Sequence, residues 1–134
     1  MNQLRILLWC ILFLVATISQ ANAYWNKGGV AVSTVPSNAG YMRAITDSAG
    51  GAIVVWLEGF PHPTKRAYVQ RFDVDGNVMW DSCGVLISDT TSSVNEYPQI
   101  VPFDNGWLIT WIQSLSGGNL QAARVDHNGD ITDS

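Results

Sequence analysis

The sequence predicts an all-β fold made of about two copies of a four-stranded antiparallel unit. Three observations carry this reading. The chain matches itself at an offset of about 55 residues. Each copy holds short runs of β-branched and aromatic residues bounded by Gly, Asn, Asp and Ser. Beyond residue 23 no stretch keeps a helical apolar period for the length a helix needs.

The elements follow in order. Residues 1–23 read as an export signal: Arg5 near the start, an apolar run over residues 6–18, then Ala21 and Ala23 at the small-residue positions a signal peptidase reads. That run is shorter than the ~20 residues of a spanning helix. Cleavage before Tyr24 is expected, leaving residues 24–134 as the repeat region. Of the two cysteines it retains Cys83, so packing, not an internal disulfide, must hold the mature chain together.

Within residues 24–134, Trp25 aligns with Trp80, Gly29-Val30 with Gly84-Val85, Ser33 with Ser88, and the run Ile53 to Leu57 with Leu108 to Ile112. Tyr41 meets Tyr97 one step later, while Arg71, Asp73 and Gly76 meet Arg124, Asp126 and Gly129 two steps earlier. The slip of two falls at Phe60-Pro61-His62-Pro63, where a loop is expected. Strands are predicted over residues 41–46, 52–58 and 67–73. A fourth, over residues 78–80 and 85–87, is broken near Ser82-Cys83-Gly84. The second copy predicts strands over 97–103, 107–113 and 120–126. Asp75-Gly76 and Asn128-Gly129 read as hairpin turns of type I′.

Four strands per ~50 residues, repeated in tandem, is the period of a β-propeller blade. Ile53-Val54-Val55-Trp56 carries large apolar groups on both faces, as an inner strand covered on two sides requires. Trp56 and Trp111 are expected to be core residues, and Trp25, Trp80, Arg71, Arg124, Gly76 and Gly129 structural positions of the repeat. Residues 25–33 correspond to the last strand of a repeat, and about two blades cannot close a ring. The chain is therefore expected to be an incomplete propeller, a fragment of a longer reading frame or a protein that self-associates.

The strings Asp47 to Trp56, Gln70 to Trp80 and Gly84 to Ser88 resemble the tandem propeller-type repeats of large secreted bacterial proteins. They are distantly similar to the Asp-box of sialidase-type propellers, although Gly106 stands five residues before Trp111. The resemblance implies a secreted or cell-surface scaffold and no particular activity.

Composition narrows the partners. With 7 Lys+Arg against 11 Asp+Glu and a pI near 4.8 the chain is acidic, which disfavours nucleic acid and anionic lipid. At 47% hydrophobic and 13% charged it is too apolar for disorder. No nucleophile stands beside a base. His62 and His127 lie in loops, Glu58 and Glu96 fall in different repeats, and the Asp73 and Asp126 clusters lack the spacing of a calcium loop. No catalytic residue, metal site or cofactor is assigned. The expected partners are other blades, a second copy, or an extracellular protein or glycan held by loops 59–65 and 114–119. The competing expectation is a fragment of a glycan-acting propeller hydrolase.

Overall fold

A computed structural model describes residues 25–34, 38–60, 64–88, 94–114 and 118–133. The expected signal at residues 1–23 and the loop residue His62 lie outside the described residues. Among the described residues eight strands form two four-stranded antiparallel sheets. The first contains β1 (Asn38–Thr46), β2 (Ala52–Phe60), β3 (Arg66–Phe72) and β4 (Val85–Leu86). The second contains β5 (Val94–Phe103), β6 (Gly106–Ser114), β7 (Asn119–Asp126) and β8 (Ile131–Asp133). Each is a meander in chain order, no helix occurs among the described residues, and the two sheets do not close into a ring.

The two sheets repeat each other in register. Ile53 pairs with Arg71 in the first and Leu108 with Arg124 in the second, so the offset is 55 on one strand and 53 on its neighbour. The change falls in the β2–β3 connection: Glu58 pairs with Arg66, whereas Gln113 pairs with Asn119. Besides a shift in β1 between Asn38 and Ala39, both first strands break register at an equivalent place, between Gly40 and Arg43 and between Glu96 and Gln99. There Tyr41 and Tyr97 adopt φ of 52° and 53°, uncommon for an aromatic side chain and the mark of a bulge.

The fourth strand of the first sheet is broken. Val78 bridges Phe72, the chain then turns through residues 81–84, and β4 returns beside Tyr68 and Val69. Gln70, fully buried, fills the gap: its amide nitrogen donates to the Asp81 carbonyl, and its amide oxygen accepts from the backbone N–H of Arg71 and Trp80. Val125 and Ile131 repeat the Phe72–Val78 bridge in the second sheet.

Alternation along β2 covers both faces of the first sheet. Ile53, Val55 and Leu57, with Ala67 and Val69, pack against Trp107, Ile109, Trp111, Ala123 and Val125 of the second sheet. Val54, Trp56 and Phe72 face the other way, onto Val30 and Val32 of residues 25–34. Among the described residues the outer face of the second sheet has no such cover: Leu120 is 76% exposed, and Phe103, Val101 and Ile112 are also exposed.

The hairpins after β3 and β7 differ from the type I′ turns expected. Only the glycines have positive φ, 82° at Gly76 and 91° at Gly129, while Asp75 and Asn128 do not. Asp73 Oδ1 accepts from the amides of Asp75 and Asn77, and Asp126 Oδ1 from those of Asn128 and Asp130. The leading carboxylate therefore organises a longer loop, with one left-handed glycine closing it.

Candidate inter-repeat interface

The side chains that recur in both copies gather where one repeat meets the next. Arg71 leaves β3 with Nε and Nη2 donating to Asp47 Oδ2 at 3.1 and 3.0 Å. Its Nη1 donates to the carbonyl of His127 in the second sheet, and the guanidinium lies 5.6 Å from the ring centroid of Trp107. Arg124 repeats the pair with Asp104 at 2.7 Å and lies 5.6 Å from the Phe103 ring. Arg71 thus joins two sheets, while Arg124 makes its pair on the outer face.

Asp47 is buried, with its Oδ1 accepting from the amides of Ala49 and Gly51. Burial pushes its pKa up, but the amides and the Arg71 guanidinium outweigh that, and the carboxyl titrates below its ordinary value. Asp73 is lowered chiefly by Asn77, through its side-chain amide and its backbone N–H, and Asp126 chiefly by the Asp130 N–H.

The tryptophans sit on the turns of the following repeat. Trp80 meets Trp107 edge to face at 6.0 Å, donates from Nε1 to the His127 carbonyl at 3.1 Å, and lies against Gly129. Trp25 lies against Gly76 as Trp80 lies against Gly129, and its ring is tilted against Phe72 at 5.8 Å. Trp56 stacks on Tyr68 at 5.8 Å and donates to Glu58 Oε1 at 2.9 Å, which also accepts from Ser33 Oγ at 2.6 Å. Trp111 occupies the same place in the second sheet, but its buried Nε1 has no hydrogen-bond partner among the described residues.

A second contact lies at the bulges. Tyr41 and Tyr97 meet at 6.0 Å. Lys65 Nζ stands 3.2 Å from Glu96 Oε1 and 5.3 Å from the Tyr41 ring centroid, and its carbonyl accepts from the buried Asn95 amide. Cys83 is half-buried in the turn before Gly84.

The repeat match singles out neither Lys65 nor Gln70, because their counterparts at the local offset of 53 are Gly118 and Ala123. The acids do carry a signal: Asp47 and Asp104 lie 57 apart, one step beyond the tyrosines. Glu58 is buried against Trp56 and Ser33. Among the described residues no three His, Cys, Asp or Glu side chains group as metal ligands, and no helix is long and apolar enough to cross a membrane. Compared with known proteins, the chain matches no family model, no curated protein and no solved structure.

Proposed function

We propose that this chain is a non-catalytic repeat module of the β-propeller type, exported and held outside the cell, where its stacked sheets form a scaffold for binding. The observation that carries the reading is that Trp25 seats on Gly76 as Trp80 seats on Gly129. Each linking segment anchors the sheet that follows it, the arrangement of a tandem array in which stability is shared between neighbours. The polar groups at the junction are engaged with one another: Arg71 with Asp47 and the His127 carbonyl, Lys65 with Glu96. They serve packing between neighbouring repeats.

Appending a further copy of residues 80–133 tests the array. The denaturation midpoint should rise with each added unit, as nearest-neighbour coupling requires. An appended unit that unfolds separately, without raising the midpoint, overturns the reading. Export is tested by sequencing the amino terminus of the product secreted from a bacterial host, which should begin at Tyr24. Turnover of a fluorogenic glycoside panel would instead support a hydrolase.

A further inference from the structure

Residues 25–34 copy the segment that links the two sheets. In the linking segment the Gly84 N–H donates to the Asp81 carbonyl at 2.8 Å, and the Cys83 N–H to Asp81 Oδ1 at 2.9 Å. In the first segment the Gly29 N–H donates to the Asn26 carbonyl at 2.8 Å, and the Gly28 N–H to Asn26 Oδ1 at 3.1 Å. The glycines closing these turns have φ of 82° and 81°. The turns at residues 26–29 and 81–84 thus share one hydrogen-bond pattern and one left-handed glycine, 55 residues apart.

They differ in what lies beside them. After Gly84 the chain enters β4, where Val85 pairs with Val69 and Leu86 with Tyr68, and the Ile87 N–H donates to the Ala67 carbonyl. After Gly29 the backbone of Val30, Ala31 and Val32 makes no hydrogen bond among the described residues. Gly84 is pressed against the Trp56 indole, so that a Cβ there would collide with it, whereas a Cβ on Gly29 would meet nothing within 4 Å.

The complementary edge is on the second sheet. In β3, Ala67 and Arg71 turn their carbonyls outward, to Ile87 and Met79. Alternation along a strand makes Val69 outward too. Their counterparts in β7 are Leu120, Ala122 and Arg124. β8 pairs only with Arg124 and Val125, so the edge at Leu120 and Ala122 has no strand beside it among the described residues. An unpaired edge of this kind is a template for a further strand.

Resting on the repeat-module reading, we propose that Val30 to Val32 of one molecule adds as an antiparallel strand to this β7 edge of a second copy, building a head-to-tail assembly. The internal pairing sets the register: Val30 opposite Ala122 and Ala31 opposite Gln121. Gly29 would then lie over Trp111, as Gly84 lies over Trp56. The contact is heterologous, because the two surfaces differ, so it extends into a chain or closes a ring of copies.

The test uses the full chain carrying Cys10→Ser and Cys83→Ser, in two versions with either Ala31→Cys or Gln121→Cys. These positions form a non-hydrogen-bonded pair, the geometry closest to a cross-strand disulfide. After mixing and mild oxidation, with one version isotope-labelled, the mixed dimer should exceed either homodimer about tenfold. Replacing Gln121→Cys by Leu120→Cys turns the thiol to the other face of β7 and should abolish that excess. Separately, Ala122→Pro removes an edge N–H that a monomer does not use, so the circular-dichroism melt should hold while self-association in sedimentation velocity is lost. A chain that sediments as a monomer at every concentration overturns the proposal. So do oligomers that survive Ala122→Pro and give no link between positions 31 and 121. Neither result touches the repeat stack, which the appended-unit series tests independently.

Discussion

Trp80 lies across the turn at Gly129 so closely that a Cβ built there would stand 2.9 Å from the indole Cγ. Gly129 also has φ of 91°, a conformation costing an L-residue about 1–2 kcal/mol. Gly129→Ala therefore combines backbone strain with overlap at the junction of the two sheets. We expect a loss above about 2 kcal/mol in urea denaturation. Gly29→Ala, with the same sign of φ but open space around it, should show only the strain.

The two arginine pairs should differ in worth although they occupy equivalent positions. The Asp47 side chain is 1% exposed and that of Asp104 is 60% exposed. Asp47→Ala leaves the amides of Ala49 and Gly51 and a half-buried guanidinium without their acceptor, and should cost about 2–4 kcal/mol. Asp104→Ala removes a solvated pair and should cost less than about 1 kcal/mol. Parallel denaturation curves check the contrast.

Acid should destabilise the fold through Asp47. Its carboxyl titrates lower in the folded chain than in the unfolded one, where a value near 3.9 applies. The folded state then binds fewer protons, and its contribution is fully present above about pH 4–5 and lost as pH falls through the folded pKa. Melting temperature should be flat from pH 7 to 5 and drop below 4. Asp47→Asn should be less stable at neutral pH and show a shallower drop, whereas an unchanged profile would remove Asp47 as the cause.

The equivalent tryptophans offer a comparison of a satisfied and an unsatisfied indole. Trp56 Nε1 donates to Glu58, and Trp111 Nε1 is buried without a partner among the described residues. Both Trp→Phe changes remove ring volume, but Trp56→Phe also leaves a buried carboxylate oxygen short of a donor. Trp56→Phe should therefore cost about 1 kcal/mol more than Trp111→Phe. Equal losses would mean that the Trp56–Glu58 bond contributes nothing net.

The strands and turns were legible in the residues because local chemistry dictates them. Ile53 to Leu57 and Leu108 to Ile112 are β-branched, aromatic and apolar on both faces, and Gly76 and Gly129 stand where the backbone takes positive φ. The repeat was legible for the same reason, since two copies under the same local demands keep the same residues. The turn type was not: Asp75-Gly76 matches a two-residue hairpin as a dipeptide, and the outcome depends on the Asp73 carboxylate two residues earlier.

By itself the sequence determined an all-β chain with a period near 55 and the identity of its recurring Trp, Arg and Gly positions. Only the tertiary structure decided what those residues touch: Arg71 with Asp47 across a hairpin, Trp80 with Gly129 across two sheets, Lys65 with Glu96 at the bulges. The physical reason is range. Periodicity and propensity act over a few residues, whereas these contacts join groups from 24 to 49 positions apart, and their partners are chosen by which faces stack.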